Sequence, residues 1–526
     1  MPIRNNAARG QASRPRGHIS GSWEKATRYL AFLIVAIGFT LTLASIGLAA
    51  TVTVDCSQEQ GSFPHYNKFA SHIRCAGAAS TALMKEVCQG GLIRTFYALD
   101  DAVVISPGNY NWNAASDGGE GTGVIDPLTP YWEADPVVDN IIAMGAQPVL
   151  CIDFKPTKGK APKWLGTWPT KSGDWSTFDR VIGDWLAHIK SRYPQCHYVE
   201  VFNEPAFDGI TQSDICAVYH HVALAVQKAN SAGAHFKVGG AAETLGAQVP
   251  GETALVEYAA KNNLPLDFIS WHCYNDVSGG APSGARDLAM RLQAMLNSHH
   301  KGNIPQLITE WNCTTWDRGK SAEVFANQGA WLAAGRYGCM ETGLGENLIP
   351  MPFCINSYVG DYQSIVAPTG KGYADGKVFP EYNVYKMMAM QRATRIKASS
   401  DDGNTYPMAS VGSDASVALM VARPTNSSLR VKVTVTELPS PFKSGAFSLT
   451  RYLVDETHSN FMFDSANDKL QQIGSKNVAA GSNFSTTVAL GGNAVILFVL
   501  APSGTAATPQ PASADKAMTE SDRGGD

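Results

Sequence analysis

The sequence predicts a (β/α)8 barrel followed by an antiparallel β-sandwich. Three observations lead to that expectation. Between about residue 65 and residue 397, short apolar runs alternate with longer stretches whose apolar residues recur every three or four positions, the rhythm of parallel strands joined by crossover helices. Eight such runs can be picked out, the number that closes a barrel. After residue 400 the pattern changes to short strands separated by Gly, Ser, Asn and Pro, as in stacked antiparallel sheets.

The elements follow in order. Residues 1–50 carry Arg4, Arg9, Arg14, Arg16, Lys25 and Arg28, then an uncharged apolar run from Tyr29 to Ala50. That pattern addresses a membrane. Two readings stand: a signal peptide cleaved near Gly47, Ala49 and Ala50, or an uncleaved anchor long enough to span a bilayer. In both, the basic flank stays in the cytoplasm and the remainder is exported, to the periplasm, the medium or the outer side of a membrane.

The barrel is expected over residues 51–397. Its strands fall near Phe69 to Cys75, Leu92 to Ala98, Gln147 to Phe154, Tyr198 to Asn203, Phe236 to Ala241, Asp267 to His272, Gln306 to Glu310 and Leu348 to Asn356. Phe178 to Tyr193 and Ile215 to Ala232 read as amphipathic helices between them. Residues 398–502 form the sandwich, with strands at Ser416 to Arg423, Leu429 to Thr436, Ser448 to Leu453, Asn483 to Leu490 and Ala494 to Leu500. From Ser503 onward the chain is rich in Ala, Pro, Thr, Ser and Asp, the composition of a disordered tail.

Composition narrows the function classes. The 526 residues are 44% hydrophobic and 17% charged, which suits a large folded core. A net charge of −4 gives no field for gathering nucleic acid and favours a neutral substrate. No Gly-x-Gly-x-x-Gly turn follows an early strand, so nothing calls for a dinucleotide or other cofactor. Ten cysteines in an exported chain allow disulfides, but their irregular spacing offers no metal site. The early His-x-His of metal-dependent barrel hydrolases is absent, and His220-His221 and His299-His300 read as solvated helix faces.

Two segments carry the chemistry. Tyr198-Val199-Glu200-Val201-Phe202-Asn203-Glu204-Pro205 is an apolar strand ending in a glutamate that Pro205 stops, and Pro305-Gln306-Leu307-Ile308-Thr309-Glu310-Trp311-Asn312 is another. Residues at the ends of barrel strands face the active-site mouth, and about three βα units fit between the two glutamates, which places them across one cavity. Paired carboxyls are what glycosidic cleavage requires. One protonates the departing oxygen while the other stabilises or attacks the anomeric carbon.

These motifs resemble the acid/base and nucleophile motifs of clan A glycosidases, in particular glycoside hydrolase family 39, which includes β-xylosidases and α-L-iduronidases. Asp267-Phe268-Ile269-Ser270-Trp271-His272-Cys273-Tyr274 is similar to its sixth-strand motif, and Leu92-Ile93-Arg94 with Asp100-Asp101 and Tyr110-Asn111-Trp112 is similar to its second-strand region. The resemblance spans roughly residues 65–500. It implies a retaining mechanism on an oligo- or polysaccharide, with Glu204 as general acid then base, Glu310 as nucleophile and Asn203 holding the neighbouring sugar hydroxyl. It also implies that His272 and Tyr274 line the site. A retaining pair stands about 5 to 5.5 Å apart.

Arg94 reads either as an orienter of a carboxylate or as a structural ion pair at the barrel rim. Trp311, Trp271 and Phe353 either stack on a sugar or pack the core. Two departures bear on the substrate. Thr95-Phe96-Tyr97 follows Arg94 where the family's xylosidases carry a His, and Met351-Pro352-Phe353-Cys354-Ile355-Asn356-Ser357 stands where they offer a Trp and acidic residues. The stretches Asn113 to Asp126 and Lys155 to Asp174 are expected to shape either a closed exo pocket or an open endo cleft. The rival to an enzyme is a non-catalytic glycan-binding envelope protein, against which the presence of both glutamates argues.

Overall fold

The structure is a computed structural model. It describes residues 49–72, 75–116, 132–153, 161–207, 209–244, 246–274, 282–313, 319–356, 363–367 and 373–503. The basic leader, nearly all of the apolar run to Ala50, most of the stretch from Asn113 to Asp126, part of the Lys155 to Asp174 loop and the tail after residue 503 lie outside the described residues. Among the described residues no helix is long and apolar enough to cross a membrane.

The strands, in chain order, are β1 (Ala49–Ser62), β2 (Ala70–His72) and β3 (Leu92–Ala98), then two short ladders formed by β4 (Val104–Ser106) with β5 (Asn109–Tyr110) and β6 (Ala115–Ser116) with β7 (Trp132–Glu133). They continue as β8 (Gln147–Asp153), β9 (Tyr198–Val201), β10 (Lys237–Glu243), β11 (Phe268–Tyr274), β12 (Gln306–Asn312) and β13 (Leu348–Pro352). Among the described residues the long helices that follow the barrel strands are α1 (Ala78–Cys88), α2 (Asp135–Ala143), α3 (Ser176–Arg192), α4 (Gln212–Ser231), α5 (Gln248–Lys261), α6 (Gly284–Ser298), α7 (Ala322–Met340) and α8 (Pro380–Ala389).

The parallel sheet runs β13-β12-β11-β10-β9-β8-β3-β2, and a parallel bridge between Ser71 and Phe353 joins its two ends. This is the expected eight-stranded barrel. Each strand lies within a few residues of its place in the sequence pattern, because a strand buried on both faces leaves an apolar run that needs no partner to be read. Local chemistry sets the helix starts. The Thr211 side chain accepts the Asp214 N–H at α4, the Ser321 side chain accepts the Val324 N–H at α7, and Pro380 opens α8.

The second sheet holds β14 (Thr394–Ser400), β15 (Tyr406–Val411), β16 (Val417–Arg423), β17 (Leu429–Thr436), β18 (Phe447–Val454), β19 (Gln471–Val478), β20 (Phe484–Leu490) and β21 (Ala494–Pro502), in the order β19-β18-β21-β16-β15-β14-β1-β17-β20. Val431 and Val433 of β17, Phe484 of β20, Phe447 of β18 and Phe498 of β21 share one core, so the sheet curls over itself as a sandwich. The other face of β16 and β21 packs Met420 and Leu497 against Leu332 of α7 and Met388 of α8. Both strands are therefore buried along their whole length, and α7, covered by the barrel on one side and the sandwich on the other, has lost its polar face.

One boundary differs from the sequence expectation. Residues 51–62, assigned to the barrel, belong to β1, which pairs antiparallel with β14 through Val52 to Ser400 and Val54 to Ala398. Val52 and Val54 are wholly buried in the sandwich core. The barrel thus begins at β2, and the sandwich is built from both sides of it in sequence. Cys56, Cys88, Cys196 and Cys339 are buried thiols among apolar side chains, and burial pushes the Cys196 thiol up to about 12.

Candidate active site

The carboxyl-side ends of the barrel strands bring together Arg94, Glu200, Asn203, Glu204, His272, Tyr274 and Glu310. Strand alternation decides who faces inward. On β11, His272 and Tyr274 point into the barrel while Trp271 and Cys273 join the outer core; on β12, Glu310 points in and Trp311 out.

Arg94 of β3 organises the floor. Its side chain has no exposed surface, and it donates from Nε to Glu200 Oε2 at 2.8 Å, from one terminal nitrogen to Glu310 Oε1 at 2.6 Å and from the other to Asn203 Oδ1 at 2.7 Å. The guanidinium also lies 4.3 Å from the centre of the Phe96 ring. The two sequence readings of Arg94 are both realised: it orients Glu310 and it forms a structural ion pair with Glu200. Burial by itself raises the Glu200 carboxyl, but Arg94, His272 and Thr309 together outweigh it and hold Glu200 below its ordinary value.

Glu310 is almost completely buried and receives a second donor, the Tyr274 hydroxyl, at 2.6 Å from Oε2. Burial and then the Glu310 charge push the Tyr274 phenol well above its usual range, so it stays a donor. Two hydrogen bonds, one to each oxygen, fix the orientation of the Glu310 carboxyl.

Glu204 sits differently. It is partly exposed, and its Oε1 lies 2.8 Å from His272 Nδ1. The turn carrying it has Phe202 at φ 74° and Glu204 at φ 50°, both in the left-handed region, and the Glu204 N–H donates to the Ala242 carbonyl at 3.0 Å. Left-handed backbone at two non-glycine residues so close together is strain that the surrounding structure must hold, and it aims Glu204 into the mouth.

One donor atom each from Glu204, His272 and Glu310 lie within 4.8 Å of one another. His272 Nδ1 is 3.6 Å from Glu310 Oε2, so the ring stands between the two carboxyls. The hydrogen bonds account for this convergence, and the cluster has the form of acid–base machinery around a small space. Phe353 lies edge-on to Tyr274 at 6.2 Å between ring centres and packs with Phe96 in a small buried apolar cluster beside the carboxyls.

Trp311 is a correction. It is fully buried between the barrel and α7, 5.9 Å from the Trp331 ring, and a Cβ added at Gly335 would meet its indole at 2.4 Å. It packs the core and does not reach a substrate; Trp271 does the same. The His221 side chain, expected to be simply solvated, pairs with Asp179 at 2.7 Å and stacks on Trp175. Glu200 and Glu243 were missed as site residues. For Glu200 a signal was present: it lies within the β9 run of apolar residues, where a carboxylate has no water and needs a buried cation.

Comparison with known proteins agrees with this geometry. Residues 128–319 match the profile of glycosyl hydrolases family 39. A beta-xylosidase of Caldicellulosiruptor saccharolyticus is 26% identical over 206 residues, covering 35% of this chain and 40% of that protein, so the match spans less than half of the relative's length. The fold is similar to that of a monomeric beta-xylosidase from Caulobacter crescentus, with a TM-score of 0.62 at 16% identity over 86% of this chain and 99% of the other. It is also similar to a bacterial orthologue of human α-L-iduronidase, with a TM-score of 0.64 at 12% identity over 87% of this chain and 85% of the other. The stretch of this chain that is similar to glycosyl hydrolases family 39, residues 128–319, carries both Glu204 and Glu310.

Proposed function

We propose that the protein is a retaining glycoside hydrolase, β-xylosidase-like in substrate class, with Glu310 as nucleophile and Glu204 as acid and then base. The observation that supports this most is the unequal environment of two carboxyls whose oxygens lie within 4.8 Å. Glu310 accepts from a buried guanidinium and a phenol, which suits a carboxylate kept ionised to attack an anomeric carbon. Glu204 is partly exposed beside His272, which suits a group that must hold a proton and exchange it with leaving group and water.

In the first half-reaction Glu310 attacks the anomeric carbon as Glu204 protonates the departing oxygen, giving a glycosyl ester on Glu310 and a free alcohol. In the second, Glu204, now ionised, takes a proton from water, whose oxygen displaces Glu310 with net retention. Carboxyl oxygens that come within 4.8 Å of one another leave little room for a water between carboxyl and sugar, which favours this course over inversion. Arg94 serves twice, holding Glu310 oriented and neutralising the floor. Asn203, fixed by its bond to Arg94, presents its amide N–H groups to the sugar hydroxyl beside the reacting carbon.

The named relative supports a pentoside substrate, and the apolar cluster of Phe96 and Phe353 suits a sugar face. The basic leader and apolar run of the first 50 residues support action outside the cytoplasm. The deciding experiment offers aryl β-xylosides, β-glucosides, α-arabinosides and α-iduronides to the protein and to E310Q, and follows the anomer first formed by NMR. Retention by the parent with loss in E310Q is expected. Inversion, or full activity in E310Q, would refute the assignment. Export is tested by protease protection in intact cells, where degradation of the barrel by external protease is expected.

A further inference from the structure

Glu243 closes β10, the strand lying between β9, whose following turn carries Glu204, and β11, which carries His272. Its side chain is fully buried, and no lysine or arginine pairs with it among the described residues. A lone buried carboxyl of this kind is costly unless its surroundings use it.

The contacts are specific. Glu243 Oε2 accepts the N–H of Ala206, two residues beyond Glu204, at 3.3 Å, and Oε1 is buried with no hydrogen-bond partner. A Cβ added at Gly251 of α5 would stand 2.7 Å from Glu243 Cγ, so the helix leaves room for the glutamate stem and little else. The turn bearing Glu204 is thus held from two sides by neighbouring residues, the Ala242 carbonyl on the Glu204 N–H and the Glu243 carboxyl on the Ala206 N–H.

The groups facing Glu243 come from every element packed on it: Glu204 from the turn after β9, His272 from β11 and Glu252 from α5. Burial raises the Glu243 carboxyl and the Glu204 charge adds to it; the Ala206 and Thr244 N–H groups and His272 pull the other way, and the balance stands at about 7. The His272 ring bonds Glu204 and pulls the Glu243 carboxyl down by its charge. Its Nδ1 is bonded to Glu204, while its Nε2 is buried without a partner, as is Glu243 Oε1.

We propose that Glu243 is a positioning residue for Glu204: its carboxyl braces the turn that presents the acid, and by gaining negative charge as pH rises it keeps Glu204 protonated to higher pH. This rests on the reading of Glu204 as general acid. Two carboxyls in one low-dielectric pocket titrate as a coupled pair, and ionising one opposes ionising the other. Above neutrality, an ionised Glu243 extends the range over which the leaving group can be protonated.

The test uses E243Q, whose amide oxygen still accepts the Ala206 N–H but cannot ionise. The pH profile of kcat/KM on an aryl glycoside, each protein scaled to its own maximum, should show the alkaline limb of E243Q displaced to lower pH by about half a unit or more. A second readout needs no catalysis. With glutamate labelled by 13C at the carboxyl, the Glu204 resonance, identified by its loss in E204Q, should titrate at lower pH in E243Q, and by linkage the Glu243 resonance should move down equally in E204Q. An alkaline limb and titration midpoints unmoved by either substitution would overturn the proposal. If the parent cuts no glycoside, the functional reading fails while the NMR titration still decides the coupling. If E243Q does not fold, the Glu243 midpoint in E204Q decides it.

Discussion

Arg94 donates to Glu310 Oε1 at 2.6 Å from a side chain with no exposed surface, and the same guanidinium holds Glu200 at 2.8 Å. One buried cation therefore serves two carboxylates. Replacing it with methionine leaves both uncompensated, and stranding a buried charge costs about 3–5 kcal/mol. R94M is expected to melt well below the parent, with activity lost. R94M/E200Q should recover part of the melting temperature, because one stranded anion is gone, without recovering turnover. Calorimetry of the three proteins measures this; equal melting of R94M and the parent would contradict it.

Tyr274→Phe removes the hydroxyl that donates to Glu310 and keeps the ring against Phe353. A preorganised donor to a reacting group is worth about 10²-fold in rate. The expected outcome is a fall in kcat near that size with the melting temperature within a few degrees of the parent. Steady-state kinetics beside a thermal melt checks both halves.

Buried acids make stability depend on pH in one direction. Burial outweighs the pull of Arg336 and holds Glu381 up at about 7, and Glu243 stands at a similar value. A carboxyl raised above its ordinary 4.5 favours the fold most fully below that value, and the contribution is lost as pH rises through about 7. The melting temperature should therefore drop between pH 5 and pH 8, and E381Q should drop less over the same window. Parallel curves for E381Q and the parent would show that Glu381 does not titrate there.

Trp311 and Phe353 separate packing from recognition. Trp311→Ala empties a site between barrel and α7 and should cost about 3–5 kcal/mol, with KM of the remaining folded enzyme near the parent's. Phe353→Ala, beside Tyr274, should raise KM with a smaller loss of stability. Denaturant unfolding paired with initial rates distinguishes the two; a raised KM in the Trp311 variant would return that residue to the site.

The barrel strands and both glutamates were legible because their signals are local. An apolar run ending in Glu-Pro or Glu-Trp states its own position on a strand end, and eight such runs count themselves. The polar edge strand β19 was not legible, since half-exposed residues such as Gln471 and Lys476 leave no apolar alternation. β1 was hidden by its neighbour: Ala50, Val52 and Val54 follow an apolar run and read as its end or as the start of the barrel.

Residue order alone carries the fold class and the place of Glu204 and Glu310 at strand ends. Tertiary structure alone decided that Trp311 faces α7 while its neighbour Glu310 faces Arg94, since alternation separates the two faces of a strand without saying which is the lumen. It also decided that β1 crosses to the sandwich and that Glu243 lies sealed behind the turn of Glu204. Burial and partner choice depend on residues far away in the chain, and it is burial and partner choice that set what a carboxyl does.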